Sequence, residues 1–91
     1  MAEDFPFCED SRDNVRVRTF SPEVDTSDLV WHRDYDDRVV TVVESDGWYF
    51  QRDGELPVEM RPGDVIPIEA REWHRVIRRK PTRLVVEIRP R

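Results

Sequence analysis

The chain is predicted to be all-β, a small antiparallel barrel or sandwich, from three observations. Its apolar residues fall in short runs, some with strict alternation; turn chemistry separates the runs at close spacing; and no segment carries a 3.6-residue amphipathic repeat. Several short strands with turns between them need each other's faces for burial, which leads to a closed or two-layered sheet.

The elements follow in order. Met1 to Asp13 is polar, acidic and aperiodic, and reads as an N-terminal tail, tied down by Phe5 and Phe7, ahead of a single domain over 14–91. Val15, Val17 and Thr19 alternate with Arg16 and Arg18, the period of a half-buried strand. Ser21-Pro22 ends it, Val24 to Asp28 is a loop, and Leu29 to His32 a short extended piece. Val39 to Val43 is a β-branched run and the strongest strand signal. Ser45-Asp46-Gly47 is turn chemistry, Trp48 to Gln51 a strand, and Asp53-Gly54 a hairpin turn leading into Leu56 to Met60. Arg61-Pro62-Gly63-Asp64 is a turn, with Asp64 capping the backbone. Val65, Ile66 and Ile68 form a strand interrupted by Pro67; Trp73 to Ile77 forms another; and after Lys80-Pro81-Thr82, Leu84, Val86 and Ile88 alternate in the last.

Composition narrows the function classes. With 91 residues there is room for one domain. A small β-domain gains burial by dimerising, so a homodimer is expected. The net charge of −5 argues against a general nucleic-acid binder. Positive charge is nonetheless concentrated late in the chain, at Arg71, Arg75, Arg78, Arg79, Lys80, Arg83, Arg89 and Arg91. Cys8 is the single cysteine, which excludes an internal disulfide. No apolar stretch reaches membrane-spanning length, and Met1-Ala2-Glu3-Asp4 lacks the basic and apolar regions of a signal peptide, so a cytoplasmic location is expected. There is no glycine-rich phosphate loop and no Ser-His-Asp arrangement.

The polar residues set among the apolar strands carry the chemical signal. His32-Arg33-Asp34 precedes the valine run, Pro62-Gly63-Asp64-Val65 follows it, and Trp73-His74-Arg75 lies on a late strand. This arrangement resembles the small single-domain cupins. That family pairs a first motif, His-x-His, a gap, Glu and then Gly, with a second, Gly, five residues, Pro-x-Gly, two residues, His. In the second motif Gly63 and His74 stand at the family separation, with Glu69 in place of the proline and Arg71 in place of the later glycine. In the first, His32 matches, Asp34 replaces the second histidine, Arg38 falls on the glutamate and Ser45 on the glycine. The resemblance covers Leu29 to Ile88 and implies an antiparallel double-stranded β-helix, the cupin jelly roll. The same His-x-Asp…His set is similar to that of 2-oxoglutarate oxygenases, but those chains are longer and place a serine where Val85 stands.

Strand geometry supports the metal-ligand reading independently. Residues two apart share a face, so His32 and Asp34 project together, into the barrel if Val39, Thr41 and Val43 register with them, and His74 reaches in with Val76. Two histidines and a carboxylate suit Fe, Mn, Ni or Zn and leave positions for water and substrate. Arg38 at the glutamate position either pairs with Asp34, Asp36 or Asp37 or binds an anionic ligand, and an inward Gln51 would supply a further ligand hydrogen bond. Each tryptophan is expected in core packing or a dimer contact.

Three functions compete. A metalloenzyme would hold a divalent metal on His32, Asp34 and His74 and act on a small oxygen-rich substrate; the resemblance implies dioxygenase, isomerase or lyase chemistry. A metal-free module would bind a sugar acid, carboxylate or nucleotide through arginines without catalysis. A structural domain would use neither histidine.

Overall fold

The structure, a computed structural model, describes residues 6–91. Eight strands account for nearly all of its regular structure: β1 Cys8–Arg12, β2 Val15–Phe20, β3 Arg38–Glu44, β4 Trp48–Arg52, β5 Val58–Glu59, β6 Val65–Ile68, β7 His74–Arg78 and β8 Leu84–Pro90. They form a five-stranded sheet in the order β1-β2-β8-β3-β6 and a three-stranded sheet in the order β5-β4-β7, with all pairings antiparallel. This is the expected antiparallel jelly roll.

The first strand lies inside the stretch read as a tail. Cys8 to Arg12 pairs with Thr19 to Val15, although all five β1 residues are exposed. Its polar sequence hides it because the backbone ladder, rather than side-chain burial, fixes an edge strand of this kind. Phe7 does tie the segment down, its ring 5.4 Å from that of Phe20. Phe5 lies outside the described residues.

The turns follow their residue chemistry. At Arg61–Asp64 the Asp64 N–H donates to the Arg61 carbonyl at 2.9 Å, and Gly63 has φ +92°, the conformation that the third position of a type II turn demands. The Asp64 carboxylate accepts from the Arg61 N–H at 2.8 Å, the expected cap. Pro67 does not interrupt β6, because β6 is an outermost strand of its sheet and proline's missing donor costs nothing on a free edge.

The core lies between the sheets. Phe20, Val40, Val42, Trp48, Phe50, Met60, Ile68, Leu84, Val86 and Ile88 are buried. Complete burial of a Val- or Leu-sized side chain is worth about 1.5–3 kcal/mol, and Leu84 and Val42 reach that limit. The inward face of β3 consists of Arg38, Val40 and Val42; Val43 is exposed on the other face. The expected inward set of Val39, Thr41 and Val43 is therefore corrected by one residue. Val39 to Val43 of β3 is β-branched on both faces, so alternation could not distinguish them. The correction turns Arg38 into the barrel.

No described helix is long and apolar enough to cross a membrane.

Candidate metal and ligand site

The barrel encloses an open-mouthed cavity of about 390 Å³. Its walls are mainly apolar, with Phe20, Phe50, Met60, Leu84 and Val86 prominent; Arg18 and Asp28 also line it, and His32, Asp34, Arg38 and His74 supply further polar groups. Three of these last four converge. Donor atoms of His32, Asp34 and His74 lie within 4.8 Å of one another, His32 on the exposed rim, Asp34 half-buried and His74 only 4% exposed.

Each donor residue comes to the site by a different route. His74 opens β7, where it pairs with Arg52 of β4, and its ring stacks near Phe50 at 5.7 Å. His32 ends the short extended piece and Asp34 lies in the charged, turn-like stretch that follows it; the segment carrying them forms an isolated bridge, His32 to His74. Two backbone bonds close that bridge: His32 N–H to His74 carbonyl at 3.0 Å and His74 N–H to His32 carbonyl at 2.9 Å. Asp34 is held through its own carbonyl, which accepts from the Arg71 N–H at 2.6 Å. Arg71 has φ +64°. This is the position of the second-motif glycine, so the chain keeps a glycine conformation without the glycine.

The two histidines are oriented alike. Nδ1 of His32 lies 3.0 Å from the Val30 carbonyl, and Nδ1 of His74 lies 2.8 Å from the Glu72 carbonyl. A carbonyl only accepts, so both Nδ1 atoms carry hydrogen and the Nε2 atoms are left for the site. Such second-partner bonds are what orient metal-ligating imidazoles. Nε2 of His74 faces Oδ2 of Asp34 at 3.4 Å. A lone pair opposite a carboxylate repels it; the contact is satisfied by a proton on Nε2 or by a cation shared between the two. The hydrogen bond from His74 is the main influence holding the Asp34 carboxyl below its ordinary pKa; burial opposes it, and the Arg38 charge reinforces it. His32 is pushed below the usual imidazole range, chiefly because its surroundings desolvate the ring, so its neutral, metal-binding form is favoured.

Arg38 makes the predicted pairing with Asp34, Nη1 to Oδ1 at 3.6 Å. Its side chain is 13% exposed, and no hydrogen bond from its guanidinium is found among the described residues. It stands in the wall between the main cavity and a second cleft of about 300 Å³. Gln51 does not join the site. Alternation on β4 turns Phe50 inward, and Gln51 accepts from Arg75 at 2.8 Å while donating to the Glu55 carbonyl at 2.9 Å.

Behind the ligands is an outer layer that sequence reasoning missed. Next to the His32–His74 bridge, antiparallel pairing sets Trp31 opposite Arg75 and Arg33 opposite Trp73; beyond Arg33 the Arg71 N–H, rather than that of Glu72, meets the Asp34 carbonyl, and Tyr35 lies by Arg71. Each pair stacks a guanidinium over a ring, at 4.7, 5.0 and 5.7 Å respectively. Exposed contacts of this type contribute about 0.5–1 kcal/mol each. Trp31 and Trp73, expected in a core or dimer contact, are 37% and 43% exposed and sit in this layer; Trp48, 0% exposed, fills the core. The available signal was the alternation of aromatic and Arg over 31–35 and 71–75.

No protein-family model matches the sequence, and no curated protein matches it. Solved structures do resemble the fold. A cupin domain from Bordetella pertussis Tohama I aligns over 100% of this chain and 99% of its own, with TM-score 0.63 and 20% identity. A protein from Ralstonia eutropha JMP134, provisionally assigned as a mannose-6-phosphate isomerase, aligns over 98% of this chain and 86% of its own, with TM-score 0.63 and 24% identity. A cupin-2 domain protein from Shewanella frigidimarina NCIMB 400 aligns over 100% and 85%, with TM-score 0.62 and 16% identity. Identities this low establish the fold and not the activity. The chain has the cupin jelly-roll fold, and three of its polar cavity residues form a group that could hold a metal.

Proposed function

We propose that this protein binds a divalent transition metal through His32, Asp34 and His74 and takes a small oxygen-bearing molecule into the barrel beside it. The observation that carries the reading is the convergence of the three donors with both Nδ1 atoms already committed to carbonyls. Bound there, Fe, Mn, Ni or Zn would supply Lewis acidity or dioxygen activation, the chemistry of isomerase-, lyase- or dioxygenase-type reactions.

This chain's own residues define the ligand. The apolar walls accept a hydrocarbon or aromatic body, and Arg38 offers uncommitted donors for one carboxylate. A sugar acid or nucleotide would set several of its hydroxyls against Phe20, Phe50 and Leu84, a cost of about 1–3 kcal/mol for each one left without a partner. The favoured class is a small carboxylate with an apolar body.

A second reading, a metal-free pocket for the same anion, is favoured by the Arg38–Asp34 pair, which engages the carboxylate a metal would need.

A thermal-shift series of carboxylates with bodies of increasing apolar size, against wild type and Arg38→Gln, with and without Mn(II), tests both. The first reading expects stabilisation that grows with apolar size, requires Arg38 and is enhanced by Mn(II). Equal shifts with and without Mn(II) select the second. No shift with any acid would reject Arg38 as the anion group.

A further inference from the structure

The residues between Trp31 and Asp37 carry two of the three converging donors yet form no regular strand. Their inner face presents His32 and Asp34 to the cavity. The outer face presents Trp31, Arg33 and Tyr35, each stacked on its partner Arg75, Trp73 or Arg71. Inner and outer residues alternate one by one, so the stacks flank His32 and Asp34 on either side.

The opposing segment is well anchored. The Trp73 carbonyl accepts from the Asp53 N–H at 3.0 Å, extending the β4–β7 ladder. Arg75 is fixed on Gln51 at 2.8 Å. Glu72, beside Trp73, receives Arg52 at 2.5 Å and the Glu69 N–H at 3.2 Å. The 31–35 segment has much less: the His32–His74 bridge and the single Arg71-to-Asp34 bond. Its side-chain attachment to the facing 71–75 segment runs through the three stacks, the edge-on contact of the His32 and His74 rings at 4.3 Å and the Asp34–His74 contact at 3.4 Å.

Resting on the metal-site reading above, we propose that this three-rung arginine–aromatic ladder sets the position of His32 and Asp34 relative to His74. Trp31, Tyr35 and Trp73, with Arg75, Arg71 and Arg33, are positioning residues. They touch neither metal nor ligand. They act by fixing the separation of the two segments, whose backbones are joined only by the His32–His74 bridge and the Arg71-to-Asp34 bond among the described residues. This accounts for two tryptophans and a tyrosine, the last 82% exposed, on the outside of the site. A displacement of the donors weakens a metal site whose ligands must meet at one point.

The test is a Co(II) titration of chelator-treated protein, read from the visible absorption bands. Wild type is compared with Trp31→Ala, Trp73→Ala, Tyr35→Ala, Trp73→Phe and a distant control, Val65→Ala on β6. Thermal melts and NMR amide exchange run alongside. The rings are exposed, so their truncation opens no core cavity. The tryptophan-to-alanine variants are expected to lose about tenfold in Co(II) affinity and to alter the band intensities. Trp73→Phe keeps a ring under Arg33 and recovers most of the affinity, and Val65→Ala binds as wild type. The His32 and His74 amides, which close the bridge, exchange faster in the alanine variants while the Val40 amide does not. Wild-type affinity and unchanged exchange in all three alanine variants would overturn the ladder's role. Uniformly faster exchange, Val40 included, would also overturn it by reducing the effect to general destabilisation. If wild type binds no Co(II), the metal reading falls, and amide exchange alone decides on the ladder.

Discussion

Nε2 of His74 lies 3.4 Å from Oδ2 of Asp34, a contact that lowers the carboxyl's pKa. Its consequence in metal-free protein is acid sensitivity. Because the folded-state pKa of Asp34 is depressed, the stability it contributes is present above the ordinary carboxylate pKa and is lost as pH falls through the folded value. Chelator-treated Asp34→Asn is expected to be less stable than wild type at neutral pH, with the gap closing below about pH 4. Melts across that range check this; a gap independent of pH would contradict it.

The depressed His32 pKa sets a second pH dependence. Metal competes with protons for imidazole, so low pH opposes binding. A lowered pKa keeps His32 available further into acid than an ordinary histidine. Zn(II) affinity is expected to hold near neutrality and to fall only once the pH drops below the usual imidazole range. Calorimetric titrations at several pH values measure it, and affinity that never falls as the pH is lowered would count against histidine ligation.

Arg38 faces two demands, from Asp34 and from a ligand anion. Arg38→Gln removes the positive charge 3.6 Å from Asp34 Oδ1. It is expected to tighten metal binding, by about tenfold if the lost repulsion is near 1.4 kcal/mol, and to abolish carboxylate binding. Parallel titrations with Mn(II) and with an apolar carboxylate separate these effects. Weaker binding of both would mean that Arg38 supports the site.

Arg71 occupies a left-handed conformation at φ +64°, which costs a non-glycine residue about 1–2 kcal/mol. Its stack on Tyr35 returns only part of that. Arg71→Gly is expected to equal or exceed wild type in urea unfolding. Arg71→Val, β-branched at the same φ and without a guanidinium, is expected to fall below both. A glycine variant less stable than the valine variant would contradict this account of the turn.

Most strands were legible because alternation and turn residues report burial and backbone conformation directly: Val15 to Phe20, Trp48 to Arg52 and Leu84 to Ile88 are examples. β1 was not, since its exposed residues carry no burial signal. The facing of β3 was missed by one residue because its valines fill both sides. At the site, His32, Asp34 and His74 were legible by spacing and do converge, and the Arg38–Asp34 pairing was anticipated. Gln51 was ambiguous because a polar residue beside three aromatics can face either way. The arginine–aromatic ladder required knowing that residues 31–35 lie against 71–75, a long-range contact made by the His32–His74 bridge and the Arg71-to-Asp34 bond and not written in local sequence.

The central claim is that His32, Asp34 and His74 hold a metal. The most direct measurement is elemental analysis of protein purified without a histidine tag or chelator, beside a His32→Ala/His74→Ala double variant. The account predicts close to one transition-metal ion per chain in wild type, retained on dialysis, and none in the double variant. Absence of metal from wild type, even after incubation with Fe(II), Mn(II), Ni(II) and Zn(II), would contradict it and leave Arg38 and the apolar cavity as an anion-binding pocket.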